Sequence, residues 1–408
     1  MNFAVAQSGG PTSAINASLA GVYAEVFATG SFSDPTNRHQ IFGILNGIQG
    51  LLEERFVNLA DCIHTNQQLE LLKKTPSTAL GSCRFRLPDA AKNDSVYRKI
   101  QQILEAHQID AFFYIGGNDS MDTVAKLSAW LKDKGSPVKV LGIPKTIDND
   151  LVCTDHTPGF GSAAKYVAMA VQEIIRDSCV YNVPSVAICE IMGRDAGWLT
   201  ASTCVLREND EDAPHLIYLP ETDFSIAKFI EDVRGQLKLR KSVICAVSEG
   251  VTPTDAGMFR SGTTDEFGHA YLSGIGKLLE EETRKALGVK VRSIELNVMQ
   301  RCSAHLASAC DLQEAEQVGR EAVKLAINGK SGRVVTMQRV SDSPYFVRYS
   351  DASAAEIANV TRTFPREWIT PDGNQVKDEA ICYFKPLIQG EVLPTMRNGM
   401  PVHFRIAI

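Results

Sequence analysis

No C-x-x-C pair occurs among the ten cysteines, which are scattered from Cys62 to Cys382. That spacing suits neither a disulfide framework nor a structural zinc site, and it predicts reduced thiols in a cytoplasmic protein. No Lys or Arg precedes Arg38, so the charged start of a secretory signal is missing, and no apolar run approaches the ~20 residues of a membrane helix. Neither sign of charge dominates: 42 basic side chains against 48 acidic ones leave a formal net charge of -6. That balance gives no bulk attraction to nucleic acid or to an anionic membrane, and the expected partner is a small molecule. There is no short-period repeat and no low-complexity tract.

What is present is globular. Hydrophobic residues make up 44% of the chain and charged ones 22%, and 408 residues exceed what one core organises, so two or three domains are expected. Short β-prone runs alternate with helical patterns: NFAVA (2–6), IFGIL (41–45), AFFYI (111–115) and VKVLGI (138–143). After the first run Ile15, Leu19, Val22 and Val26 fall at helical spacing, and after the third Val124, Leu127 and Leu131 do so. A second series begins near Thr157, with Tyr166, Ala170 and Ile174 on one helical stretch and the runs SVAICE (185–190), HLIYL (215–219) and VICAVS (243–248). The alternation predicts two α/β units. A further helix is expected from Asp311 to Asn328, with Asp311 as its cap and Gly329 past its end. After Pro344 the pattern weakens, and five prolines punctuate a tail expected to be ordered but irregular.

Two glycine patterns are decoys. Gly159, Gly161 and Ala164 have dinucleotide-fingerprint spacing, but TDHTP stands where a strand should end, so they read as a glycine loop starting a helix. Gly329, Lys330 and Ser331 resemble the end of a P-loop but follow a helix, so they read as its C-terminus.

Four segments carry chemistry: SGGPTSAIN (8–16), GGNDS (116–120), PKTIDND (144–150) and MGRDAGW (192–198). Three end or follow β-prone runs, and in an open α/β sheet ligands bind beyond the carboxyl ends of strands, so the four can converge on one cleft. Glycine loops offer backbone donors to phosphate oxygens, lysine and arginine offer charge, and Asp148 and Asp150 offer carboxylates for a hydroxyl or a metal. Phosphoryl transfer needs this inventory: clamped phosphates, neutralised charge and an oriented nucleophile. IDND by itself equally suits an Asx turn, and it is the conjunction that points to chemistry.

In this order the motifs resemble the phosphofructokinase family, whose N-terminal glycine pair, GGD-x-S, TIDND and MGR patterns recur between Asn2 and Gly332; GSCRFR (81–86), SEG (248–250) and QR (300–301) resemble its other phosphate and sugar contacts. The resemblance implies two Rossmann-like three-layer α/β domains with an irregular C-terminal extension. Residues 1–153, completed by 309–340, would carry the donor-phosphate and catalytic loops, 154–308 the sugar phosphate, and 341–408 the extension. It implies that Asp148 accepts the proton of the sugar 1-hydroxyl and that Arg84, or Arg86 in its place, reaches the transferred phosphoryl group. Gly9, Gly10, Gly117, Asp119, Ser120 and Lys145 would hold the phosphate donor. Thr146, Ile147, Asp148, Asp150, Met192, Gly193, Arg194, Glu249 and Arg301 would hold fructose 6-phosphate. Asp119 and Lys145, together with GWLTA (197–201), resemble the branch that uses pyrophosphate in place of ATP. Mg2+ is the implied ion and a homodimer or homotetramer the implied assembly.

Three departures stand out. Asn118 occupies the place of a metal-linked Asp, leaving the ion to Asn118 and Asp119 or to pyrophosphate oxygens. Ser185 and Cys310 stand where the family has arginines. The rivals are an ATP-dependent enzyme, which Asp119 and Lys145 speak against, and a non-catalytic sugar-phosphate sensor, which would have lost Asp148 and Asp150.

Overall fold

A computed structural model describes residues 1–30, 39–209, 212–256 and 274–406. The strands are β1 (Asn2–Gln7), β2 (Gln40–Ile44), β3 (Phe56–Asn58), β4 (Ala111–Gly116), β5 (Lys139–Pro144), β6 (Ser185–Ile191), β7 (Leu216–Tyr218), β8 (Ser242–Ser248), β9 (Lys290–Glu295), β10 (Arg333–Asp342) and β11 (Tyr345–Ser353). The long helices are α1 (Ile15–Thr29), α2 (Ser95–Ala106), α3 (Asn118–Asp133), α4 (Phe160–Ser178), α5 (Ile226–Leu239), α6 (Ile275–Leu287) and α7 (Ala309–Ile327).

Two sheets organise these elements. The first has the order β11-β10-β5-β4-β1-β2-β3, parallel from β10 to β2, with β11 and β3 antiparallel at the edges. The second is fully parallel, in the order β7-β8-β6-β9. The strand sequences show why both are buried on two faces. In β1, Phe3 and Val5 enter one core and Ala4 and Ala6 the other; in β4, Phe113 and Ile115 oppose Phe112 and Tyr114 in the same way. In the second sheet Val186 and Ile188 oppose Ala187, Cys189 and Ile191. Runs that are apolar at every position are the mark of parallel strands covered by helices.

The tail departs from the expected irregular extension. The proposed boundary at 341 cuts through β10, which with β11 forms a long antiparallel hairpin that adds two strands to the first sheet. Farther on, Phe364, Trp368, Tyr383 and Phe384 pack with Trp198 on the second sheet. The tail therefore belongs to both cores, each fully buried ring contributing roughly 1.5–3 kcal/mol.

Helix α7 begins two residues earlier than Asp311 suggests, because the Ser308 side chain caps it by accepting from Asp311 N–H. Asp311 instead caps α4: its carboxylate accepts from Gly159 N–H (2.8 Å), Ser162 N–H (3.0 Å) and Ser162 Oγ. The glycine loop before α4 is indeed a helix start, with Gly159 at φ +101° in the N-cap position. Among the described residues no helix is long and apolar enough to cross a membrane.

Candidate active site

The site is a cavity of about 480 Å³ at the carboxyl ends of five strands. Ser8 to Thr12 follow β1, Gly117 to Ser120 follow β4, Lys145 to Asp150 follow β5, Met192 to Asp195 follow β6 and Glu249 follows β8. The first three loops come from one sheet and the last two from the other, so the cavity lies between them. Arg84, Phe85 and Arg86 add a wall from the loop after residue 80, and Arg301 from a short helical turn. Apart from Gly193, every residue assigned to the site from the sequence lines this cavity. Gly193 sits behind the lining, where its N–H donates to Glu249 Oε1 at 3.3 Å.

Local sequence explains the loop shapes. Gly9 adopts φ +71°, which lets the chain turn sharply out of β1 beneath Lys145. Gly193 adopts φ +133°, and a Cβ there would lie 2.6 Å from Ala196 O, so only glycine fits. Two expected phosphate donors face inward instead. Gly9 N–H donates to Cys83 O (3.3 Å), and the Ser120 hydroxyl pairs with that of Ser8 (2.7 Å) while its N–H turns back to Gly117 O.

Charge is concentrated here. The Lys145 side chain is 3% exposed, and its Nζ donates to Gly10 O at 2.6 Å. Burial lowers its pKa to about 8, with Arg301 acting in the same direction and Asp148 and Asp150 opposing. Burial raises the Asp148 carboxyl above the usual carboxylate range despite Lys145, Arg194 and Arg301. Asp150 is raised by burial and by the neighbouring Asp148 charge, and its Oδ1 has no hydrogen-bond partner. Glu249 is pushed up to about 7 by burial and by Asp148. A buried lysine and half-buried arginines beside carboxyls whose pKa values are raised form a site that gains from a bound polyanion and can receive a proton.

Asn118 lines the cavity and also holds the tail. Its Oδ1 accepts from Asn359 N–H (2.5 Å) and its Nδ2 donates to Val360 O (2.8 Å), so the amide ties down the tail. Asp119 is the second residue of α3, whose N-cap is Gly117, so it does not cap the helix; it lines the cavity. Among the described residues no group of three or more His, Cys, Asp or Glu could hold a metal. One carboxylate joined by phosphate oxygens and water is the donor set that suits Mg2+. Neither Ser185, at the start of β6 and thus at its far end, nor Cys310 lines the cavity.

The sequence reading missed Asn359 and Thr361, which reach the cavity from the tail, and Arg362 beside them. No periodicity or glycine signal marks them. Their proximity to Asn118 is tertiary: β11 ends level with the start of β5, and residues 354–361 carry the chain from there to the first turn of α3, where Asn359 bonds Asn118 and Asp122.

Two helix-covered sheets, one parallel and one parallel but for its edge strands, enclosing a buried lysine, arginines and paired carboxylates define an α/β phosphotransferase cleft. Residues 2–326 match the phosphofructokinase family, and the chain belongs to it. It is 36% identical over 405 residues to the pyrophosphate--fructose 6-phosphate 1-phosphotransferase of Halomonas elongata, covering 98% of this chain and 95% of that one. It is 37% identical to the enzyme of the same name from Xanthomonas campestris pv. campestris, covering 98% and 94%. The crystal structure of a pyrophosphate-dependent phosphofructokinase from Marinobacter aquaeolei superposes with a TM-score of 0.86 at 33% identity, over 99% of this chain and 96% of that one.

Proposed function

We propose that this protein transfers a phosphoryl group from pyrophosphate to the 1-hydroxyl of fructose 6-phosphate, reversibly giving fructose 1,6-bisphosphate and phosphate. The observation that carries the reading is the meeting of Asp119, Lys145 and Asp148 on one cavity. Asp148 accepts the hydroxyl proton, and the upward pull of burial on its pKa makes it a stronger base than an exposed carboxylate. Lys145 and Arg84 draw the donor phosphates, with Gly10 and Gly117 giving close approach. Thr146, Ile147, Asp150, Met192, Gly193, Arg194, Glu249 and Arg301 hold the sugar phosphate. Asp119 is the protein carboxylate on the donor side; with pyrophosphate oxygens it would hold Mg2+, which would neutralise the donor's charge.

Asp119 and Lys145 select the donor. A carboxylate at 119 repels the α-phosphate that ATP carries beyond the two phosphates it shares with pyrophosphate, and the lysine attracts the terminal charge of free pyrophosphate. The exposed apolar residues Val180, Tyr181 and Val183 support a homodimer or homotetramer, and ten free cysteines suit the reducing cytoplasm. Initial rates with fructose 6-phosphate and either donor test the reading. Turnover with pyrophosphate and little with ATP is expected, with Asp119→Gly raising ATP use by orders of magnitude. Robust ATP turnover by the unaltered protein would end the pyrophosphate assignment.

A further inference from the structure

The two carboxylates of the catalytic loop flank Asn149, a fully buried residue at φ +56°. That left-handed turn sets where Asp148 and Asp150 point, and asparagine is among the few non-glycine residues that adopt it readily. Cys153, at φ +64°, makes a second such turn before the loop ends.

The tail holds this loop. Arg362 Nε and one terminal nitrogen donate to Asn149 O at 3.2 and 3.0 Å. The other terminal nitrogen donates to Thr154 O at 2.9 Å and Asp155 O at 2.5 Å. One planar guanidinium thus staples both ends of residues 149–155. The Arg362 backbone N–H also donates to Asp150 O at 2.7 Å, and Thr361 bridges Leu151. Tyr383 completes the device: its hydroxyl accepts from Asn149 Nδ2 (2.8 Å) and donates to Asp155 O (2.7 Å). Trp198 lies against the guanidinium, 4.4 Å from Cζ to ring centroid, and its Nε1 donates to Arg362 O at 3.1 Å. This gives the tryptophan of GWLTA a physical role as the plate beneath the staple.

We propose that Arg362 and Tyr383 are positioning residues for the phosphoryl transfer: they touch neither substrate but fix the backbone that aims Asp148 and Asp150. Both lie beyond residue 326, where the match to the family ends. Lysine cannot replace the arginine, because one ammonium cannot reach both ends of the loop in the plane of the fork. The inference rests on the transfer reading above, although not on the choice of donor.

The test compares Arg362→Lys, Arg362→Ala and Tyr383→Phe in the full-length chain, with thermal melting recorded alongside. Displacing the far end of this loop by about 1 Å lowers turnover by roughly 10²-fold, while Lys145 at its near end stays anchored by Gly116 O and Gly10 O. Arg362→Lys is therefore expected to lose kcat on that scale with KM for pyrophosphate little changed, a split that general destabilisation does not produce. Tyr383→Phe, which removes the hydroxyl's hydrogen bonds to Asn149 and Asp155, should lose roughly five- to a hundredfold. Added guanidinium should restore part of the kcat of Arg362→Ala, and methylammonium should not. If the arginine variants do not fold, a reduced kcat in folded Tyr383→Phe upholds the role and an unchanged one overturns it. Full kcat in folded Arg362→Lys, or equal loss of kcat and of pyrophosphate affinity, overturns it as well. Should the parent enzyme prefer ATP, the donor assignment fails by itself, and the same kcat loss measured with ATP still upholds the staple.

Discussion

Replacing Lys145 by methionine, which keeps the length of the stem and removes the ammonium, isolates one charge in the donor site. Because burial holds the Lys145 pKa at about 8, the side chain is cationic at neutral pH and loses its proton above pH 8. The sign follows: if the ammonium binds pyrophosphate, free enzyme below pH 8 is competent and free enzyme above it is not. At an effective dielectric near 20, a unit charge pair about 4 Å apart is worth roughly 4 kcal/mol, on the order of a thousandfold in binding. Two pH units above its pKa, about one lysine in a hundred remains protonated. The expected wild-type kcat/KM for pyrophosphate therefore falls about tenfold per unit between pH 8 and pH 10. Lys145→Met should begin roughly 10²- to 10³-fold lower at pH 7 and show no inflection near 8. Initial rates across pH 6.5–10 give both curves, and their ratio cancels the ionisation of pyrophosphate itself. A ratio independent of pH would refute the argument, since both enzymes would then lose activity through some other group. A wild-type curve flat to pH 10 would refute it equally, by showing that the buried lysine keeps its proton.

Two further outcomes can be measured directly. Asp148→Asn, which preserves shape and removes the proton acceptor, should lower kcat by roughly 10²- to 10⁴-fold with fructose 6-phosphate binding largely retained; near-normal kcat across the pH range would remove Asp148 from that role. Asp311→Ala leaves the donors of Gly159 and Ser162 unpaired at the buried start of α4, so urea unfolding should show a loss of about 2–4 kcal/mol, and a change within error would mean water replaces the carboxylate.

The catalytic loops were legible in the sequence because each is short, rich in glycine or acid, and follows a run of strand-forming residues. Position 118 shows what that reading does not see: the asparagine's amide also bonds Asn359 N–H and Val360 O of the tail, a role that no local pattern announces. Asp311 is similar: its spacing to Glu314 suits a capping box, but Glu314 bonds His156 and Tyr345 while Asp311 serves another helix. Local pattern identifies the residue type that a helix start requires, and only tertiary packing decides which helix receives it. The β10–β11 hairpin was hidden for a related reason, since its exposed half alternates with polar residues and lacks the continuous apolar character of the buried parallel strands.

That hairpin also imposes an order of events on the nascent chain. Strand β10 pairs with β5 in the register Arg333 to Leu141, and Phe404 N–H donates to Thr75 Oγ1. The smaller sheet, by contrast, uses strands that lie wholly between Ser185 and Glu295. During synthesis the strands of the smaller sheet can pair while the larger one still lacks two strands, but its core stays open until Phe364 and Phe384 arrive, and Asp148 has no Arg362 behind it. Contacts across such sequence distances make for slow closure. A chain terminated before residue 362 would thus carry nearly every catalytic side chain but an unlatched loop, so full turnover awaits the tail.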